Sequence, residues 1–157
     1  MFVASIINLF ILLIYFSSVL KAEENNIKYY SKDEGILSIM YHRFNESKYP
    51  STNIQMNVFD EHIKIIKRSK LDFYDPSNLE KNFDKPKKQK KILITIDDAF
   101  KSFYTEAWPY LRKNKIPFIL FVSTEPVGKS GYMTWDQIRE IEKEDFGIIG
   151  HHSHTHD

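Results

Sequence analysis

The 157-residue sequence contains no cysteine and few backbone-breaking residues, with five glycines and six prolines. Without cysteine, the protein has no disulfide scaffold, no thiolate metal ligand and no cysteine nucleophile. An excess of either charge is also absent, because 22 Lys and Arg residues oppose 21 Asp and Glu residues. This balance gives no overall attraction to nucleic acid or to an anionic membrane surface. Binding specificity must therefore come from local groups.

The N-terminus carries the longest apolar stretch of the sequence, from Ile6 to Phe16 with one interruption at Asn8. Residues 1–22 resemble a secretory signal or an uncleaved membrane anchor formed by residues 1–20. A buried core helix is the alternative. The stretch predicts export, with a periplasmic, membrane-anchored or extracellular location. The remaining length suits one domain with a single core. Its first part, residues 23–90, is a strand–helix region that ends in a Lys-rich linker, and its second part is residues 91–157.

Strand and helix patterns alternate along this remainder. Strands are predicted at 35–42, 91–98, 117–123 and 146–150, and helices at 56–70, at 99–115 with an interruption at Pro109, and from a capping box at Thr134 and Gln137. Five lysines between positions 85 and 91 indicate a solvated loop, or alternatively a nucleic-acid patch, although no aromatic residue lies among them. The alternation predicts a parallel α/β sheet or barrel.

Polar side chains follow three of the predicted strands. They are His42, the pair Asp97 and Asp98, and the histidine tract from His151 to His156. In a parallel sheet the carboxyl ends of strands meet at one edge, so these groups are expected to lie together. Two neighbouring carboxylates repel each other, and a bound cation is a simple compensation. The alternative for the aspartates is a turn that caps the next helix.

The histidine tract offers two arrangements. His152 and His156 are four residues apart, which puts both rings on one face of a helical turn where they can share one ion. An extended chain would instead align His152, His154 and His156. Gly150 favours a chain reversal and hence the helical turn. A third possibility is a solvated tail that binds metal adventitiously.

These residues resemble the polysaccharide deacetylase family, also called the NodB-homology domain or carbohydrate esterase family 4. TIDDA at 95–99 is similar to its first motif, T-F-D-D-G, and HSHTH at 152–156 matches its second, H-[ST]-x-x-H. YMTWDQIREI and ILSIMYHRF resemble the exported branch that acts on poly-N-acetylglucosamine polymers. The resemblance implies the N-terminal part of an incomplete (β/α) barrel, and a metal-dependent removal of N-acetyl groups from an N-acetylglucosamine-rich polysaccharide.

The resemblance also implies roles for individual residues. Asp98, His152 and His156 would bind a divalent ion, zinc in the first place and cobalt, nickel or iron as alternatives, and Asp97 would be the general base. Ser153 would position the loop, while His151 and His154 have no family role. His42 is a candidate for the sugar-facing surface, or else a strand-end histidine bonded to backbone groups.

Two departures from the family pattern stand out. Ala99 replaces the family glycine, which matters only if the position needs a positive φ. The later family motifs lie beyond Asp157, and four or five predicted strands fall short of the family's seven or so. We therefore expect a truncated deacetylase with an exposed sheet edge and weak activity. The alternative functions are an exported, His-rich metal-binding protein without catalysis and a non-catalytic sugar-binding relative.

Overall fold

A computed structural model describes residues 35–69, 71–82 and 90–156. The predicted signal or anchor at residues 1–22 and residues 83–89 of the Lys-rich linker lie outside these ranges. The main sheet has five strands: β1 (Ile36–Tyr41), β4 (Asp72–Phe73), β5 (Lys91–Asp97), β6 (Phe118–Val122) and β7 (Gly147–His151). Within the described ranges, no helix combines the length and the apolar character that a bilayer crossing requires.

Strand β5 is the centre of the sheet, which is parallel as predicted. The strand order is β1-β5-β6-β7, and β4 pairs with the start of β5. Residues 92–97 of β5 are all buried, as expected for a strand covered on both faces. The carboxyl ends of the strands therefore lie along one edge of the sheet. At its β1 end, the apolar side chains of Leu37 and Met40 are 52% and 59% exposed.

The first helix, α1 (Met56–Arg68), confirms the predicted amphipathic pattern and ends two residues earlier than expected. Its buried stripe consists of Phe59, Ile63 and Ile66. The Phe59 ring packs edge-on against Tyr41 at the end of β1, with the ring centroids 5.0 Å apart. Burial of this stripe fixes the helix against the sheet, since each fully buried apolar side chain contributes about 1.5–3 kcal/mol.

The segment after β5 is split into two helical pieces. A π-helical turn, Phe103–Ala107, leads into α3 (Trp108–Asn114), and Pro109 lies in the first turn of α3. Proline lacks a backbone N–H and is tolerated in the first turn of a helix, so the split coincides with it. The effect of Pro109 is therefore a change of helix type just before it, because the backbone stays helical through Ala107 and Trp108.

The predicted capping box begins α4 (Trp135–Glu142). The Thr134 side chain accepts from the Gln137 backbone N–H, and the Gln137 side chain accepts in return from the Thr134 backbone N–H. The chain then enters β7. Here the prediction for Gly150 is wrong, because Gly150 lies inside β7 and does not reverse the chain. A Cβ atom at Gly150 would come within 2.6 Å of the Phe121 ring, so the glycine makes room for that ring.

Several short elements escaped the sequence patterns. Strands β2 (Arg43–Phe44) and β3 (Asn53–Ile54) form a small separate sheet around the predicted turn. Two-residue strands such as β4 are too short to show a period. The predicted linker at 75–91 begins with a 3₁₀ turn, Pro76–Asn78, and the short helix α2 (Leu79–Asn82).

Candidate metal centre

The carboxyl end of the sheet brings together the two main polar groups of the sequence. Asp97 is the last residue of β5 and Asp98 follows it, while His152 follows the last residue of β7. Both aspartates are buried, with 7% and 8% of their surface exposed. Because all strands of the sheet are parallel, Asp97 and His152 become neighbours although they are 55 positions apart in sequence.

Asp98, His152 and His156 form the core of the site. Asp98 Oδ1 lies 3.1 Å from His156 Nε2 and 3.5 Å from His152 Nε2. The two imidazole rings are nearly perpendicular, with their centroids 4.8 Å apart. One ligand atom from each of the three residues lies within 4.8 Å of the others, so the group could hold one metal ion.

The two histidines converge through a bent loop and not through the predicted helical turn. Residues 152–156 contain no helix, and the backbone is left-handed at Ser153 (φ 59°) and at His156 (φ 70°). The Ser153 hydroxyl accepts a hydrogen bond from the His156 backbone N–H at 2.9 Å. The rival extended arrangement is also wrong, because His154 is not part of the cluster.

Ser123 connects the two halves of the site and was missed in the sequence. Its hydroxyl, on a residue only 1% exposed, lies 3.3 Å from Asp98 Oδ1 and 3.0 Å from the His152 carbonyl oxygen. A hydroxyl has one proton, so it donates to either oxygen or is shared between them. The sequence feature that could have identified Ser123 is its position directly after β6, at the same sheet edge as Asp97.

Backbone hydrogen bonds fasten the histidine loop to the end of β6. The His152 N–H donates to the Val122 carbonyl at 2.9 Å, and the Glu125 N–H donates to the His154 carbonyl at 2.9 Å. His154 adds a side-chain hydrogen bond between its Nδ1 and Thr124 Oγ1 at 2.8 Å. The loop is thus held by β6, which lies between the two strands that carry the ligands.

Asp97 occupies a different electrostatic position from Asp98. Its Oδ1 is buried and has no hydrogen-bond partner among the described residues, and its Oδ2 is 3.8 Å from His152 Nε2. Burial raises the pKa of Asp97 above the ordinary aspartate value, the neighbouring Asp98 carboxylate adds to this, and the nearby imidazoles of His152 and His42 oppose it. A buried carboxylate with a raised pKa is a better proton acceptor.

Three further histidines, His42, His151 and His154, follow or end strands at the same edge of the sheet. His42 follows β1, is half-buried, and is close enough for its charge to act on Asp97. His151 is the exposed last residue of β7, and His154 is exposed apart from its bond to Thr124. The structure therefore gathers Asp97, Asp98, His152, His156 and His42 at one edge of the sheet.

The donor set at this edge suits a divalent transition metal. Two imidazole nitrogens with one carboxylate oxygen are ligands that zinc accepts, and they leave a coordination position for water or substrate. Tetrahedral zinc places its ligand atoms about 3.3 Å apart. The distances from Asp98 Oδ1 to His156 Nε2 and His152 Nε2 bracket this value.

A cavity of about 310 Å³ opens beside the cluster. It is lined on one side by Asp98, Ser123, Thr155 and His156, and elsewhere by Phe100, Glu125, Pro126 and Tyr132. Pockets that hold small molecules begin at about 300 Å³. The cavity therefore has room for one sugar ring next to the candidate metal ligands.

Comparison with known proteins agrees with the fold and the motifs. The family model "Polysaccharide deacetylase" matches residues 84–157, which include both aspartates and both histidines. A putative polysaccharide deacetylase of Bacillus subtilis, YxkH, is 26% identical over 115 residues, which is 72% of this chain and 40% of the relative. A poly-β-1,6-N-acetyl-D-glucosamine N-deacetylase of Staphylococcus aureus is 25% identical over 144 residues, which is 80% of this chain and 50% of the relative.

A solved structure supports the same assignment. The structure of IcaB from Ammonifex degensii superposes with a TM-score of 0.65 and 30% identity, covering 79% of this chain and 54% of IcaB. The family model and these relatives support the assignment of the chain to the polysaccharide deacetylase family. It spans about half the length of the curated relatives that it matches.

Proposed function

We propose that the protein is a metal-dependent hydrolase that removes N-acetyl groups from a polysaccharide containing N-acetylglucosamine. The observation that carries this proposal is the convergence of Asp98, His152 and His156 beside the buried carboxylate of Asp97. The match to the family model and the activity named for the staphylococcal relative support the substrate class. Poly-β-1,6-N-acetylglucosamine is accordingly the polymer we propose first.

Each residue of the cluster has a role in this reaction. Asp98, His152 and His156 hold the divalent ion, which when bound polarises the acetyl carbonyl and acidifies water. Asp97 accepts the proton of the water that attacks the carbonyl carbon. The C–N bond then breaks as this proton passes from Asp97 to the leaving nitrogen, which gives a free amine on the sugar and acetic acid that ionises to acetate. Ser123 orients Asp98 and the backbone of His152.

The unpartnered Oδ1 of Asp97 supports its role as the base. A buried acceptor without a hydrogen-bond donor costs about 1–3 kcal/mol, and such a group is retained where it does chemistry. Zinc is our first choice of ion on the donor chemistry, and cobalt, nickel or iron would use the same ligands. His42 is placed by this proposal at the sugar-facing rim, and a His42→Ala variant tests it through oligosaccharide affinity.

The test is acetate release from β-1,6-linked N-acetylglucosamine oligomers by the zinc-loaded protein, followed over hours by NMR. We expect an Asp97→Asn variant to lose at least about 100-fold in acetate release, while zinc affinity changes less than about threefold. Asp145→Asn, at an exposed position before β7, is the matched control and should behave as the parent. A protein that binds zinc without releasing acetate would be a chelator, and that result would overturn the proposal.

We propose in addition that the protein is exported to a periplasmic, membrane-anchored or extracellular location. The apolar residues 1–22 support a signal or anchor on sequence grounds. Cell fractionation with and without residues 1–22 tests it, and equal recovery of both forms in the cytoplasm would contradict it.

A further inference from the structure

Beside the candidate metal ligands lies a stack of alternating aromatic and charged groups. The Arg43 guanidinium lies between two rings, 3.9 Å from the Tyr49 centroid and 3.4 Å from the Phe100 centroid. The Tyr132 ring continues the series, 5.0 Å from Phe100 and tilted by 36°. We call Tyr49, Arg43, Phe100 and Tyr132 the aromatic stack. Cation–π contacts of this kind hold rings in fixed positions.

The aromatic stack ends in the cavity of the candidate metal centre. Phe100 and Tyr132 line the cavity together with Asp98 and His156, and Pro126 adds apolar surface. Phe100 is 6% exposed, whereas Tyr132 is only half-buried. The Tyr132 hydroxyl has no hydrogen-bond partner in the described part of the chain. The lining of the cavity thus combines two of the candidate ligands, Asp98 and His156, with the aromatic side chains of Phe100 and Tyr132.

From this arrangement we infer that Phe100 and Tyr132 form a sugar subsite, in which Tyr132 packs against the apolar face of one pyranose ring of the polymer. The inference rests on the proposed function, since it names where the sugar next to the acetyl group lies. A pyranose has a face of C–H groups that packs on an aromatic ring, and a rim of hydroxyls that can bond to the phenol. Phe100 supports the Tyr132 ring from behind.

The charges around the cavity also favour a neutral ligand. Glu125 is the charged group at the rim, and it already pairs with Lys129. Asp98 adds a second carboxylate, so an anionic ligand would be repelled in the absence of metal. A neutral sugar that is held by stacking does not require an unpaired charged side chain in the cavity. Its affinity should therefore change little between low and high salt, unlike that of a ligand held by ion pairs.

Arg43 acts in this arrangement as a positioning residue. Its side chain is 13% exposed, and its Nη1 lies 3.0 Å from Glu46 Oε2, which pairs its charge. Its guanidinium carbon lies within 4 Å of the centroids of both the Tyr49 and the Phe100 rings. Arg43 thus fixes Phe100, and through it Tyr132, without contacting the sugar. An antiparallel backbone bridge between Phe100 and Tyr132 keeps the two residues in register independently of their side chains.

The test measures binding and does not require turnover. In the zinc-loaded Asp97→Asn protein, the Kd for a short β-1,6-linked N-acetylglucosamine oligomer is measured by calorimetry. We expect Tyr132→Ala to weaken binding about tenfold, and Tyr132→Phe, which keeps the ring, to weaken it less than about threefold. Trp135→Ala is the matched control, since Trp135 is 46% exposed and outside the cavity lining. Its Kd should equal that of the Asp97→Asn parent.

Three results would overturn the inference. They are an unchanged Kd in Tyr132→Ala, an equal loss in Trp135→Ala, and the absence of oligomer binding by the parent. Zinc affinity is measured in each variant, and a parallel loss of zinc binding in Tyr132→Ala would show a structural effect and also count against the subsite. Failure of the proposed function looks different: the protein with Asp97 intact would release no acetate, yet oligomer binding would still depend on Tyr132.

Discussion

Between Ile92 and Ile96, strand β5 is packed into the protein core, whereas the next three residues carry two carboxylates and a left-handed turn. Ile92, Ile94 and Ile96 are at most 2% exposed. Asp98 and Ala99, the first two residues after the strand, have φ angles of 71° and 55°. The interior of the sheet is made of groups that favour burial, and its carboxyl end is made of groups that resist it.

The backbone shows the same contrast. Among the described residues, six other than glycine have a positive φ, and four of them, Asp98, Ala99, Ser153 and His156, lie at the candidate metal centre. Left-handed conformations cost L-residues about 1–2 kcal/mol each. Strain of this kind persists where surrounding structure enforces it, and it concentrates at functional sites. Burial of the apolar residues of the sheet therefore offsets the backbone strain at its carboxyl end.

The largest effect should come from removing a side chain of the apolar region. Phe118 is fully buried, with its ring 5.5 Å from Phe103 and 5.8 Å from Trp108. We expect Phe118→Ala to lower the free energy of unfolding by about 3–5 kcal/mol, measured by urea denaturation. Ile65→Ala, at an exposed position of α1, serves as the control with a change below about 1 kcal/mol. A loss below about 1 kcal/mol for Phe118→Ala would contradict this account of the core.

The next effect separates metal affinity from stability. Because the Ser123 hydroxyl lies between Asp98 Oδ1 and the His152 carbonyl, we expect Ser123→Ala to weaken zinc binding about 10- to 100-fold. Ser130→Ala, at an exposed position, should leave zinc affinity unchanged. The measurement is a competition titration with a chromogenic chelator. Equal zinc affinity in Ser123→Ala and the parent would remove Ser123 from the site.

The buried carboxylate of Asp97 should reduce the stability of the metal-free protein. Its pKa is raised in the folded state, so the folded protein binds this proton more tightly than the unfolded chain. The stabilising contribution is present at low pH and is lost as pH rises through the raised pKa. We therefore expect Asp97→Asn to increase the free energy of unfolding at pH 7 by about 1 kcal/mol.

The pH dependence supplies the control for this prediction. In unfolding experiments between pH 4 and pH 7, the difference between Asp97→Asn and the parent should grow with pH. Asp145→Asn, whose carboxylate is exposed, should show no such trend. A difference that shrinks with rising pH would mean that the Asp97 carboxylate is stabilised in the fold, contrary to this account.

The smallest effect concerns Ala99, where the family has glycine. The structure gives Ala99 the positive φ under which that difference matters, and it buries the residue completely. Ala99→Gly relieves about 1 kcal/mol of strain but loses a buried methyl group and adds chain entropy of similar size. We expect a change within about 1 kcal/mol in the urea experiment, with unchanged zinc affinity. A loss above about 3 kcal/mol would mean that the methyl group matters far more than the strain.

The contrast between the two regions also explains what could be predicted from the sequence. The apolar runs at β5 and β6 and the stripe Phe59, Ile63 and Ile66 show the period of their elements, so the parallel sheet and its helices were predictable. The grouping of Asp98 with His152 and His156 was implied by the family resemblance, and their positions after strands of a parallel sheet predicted a shared edge. These predictions depend on patterns that repeat along the chain.

Features that depend on tertiary contacts were not predictable. The bend at Ser153, the role of Gly150 in accommodating the Phe121 ring and the position of Ser123 between two ligands have no local signature. The same is true of β2 and β4, whose two residues each pair only because neighbouring segments bring them together. Local propensity was outweighed by packing at each of these positions.

The most direct test of the central claim is the stoichiometry and location of zinc in the purified protein. We predict one zinc ion per chain by calorimetry, with affinity reduced more than about 100-fold in Asp98→Asn, His152→Ala and His156→Ala. His151→Ala and His154→Ala are matched controls from the same tract and should retain the parent's affinity. If the two control variants lost as much affinity as the three ligand variants, the tract would be an unspecific metal-binding tail, and the site described at the end of the sheet would be contradicted.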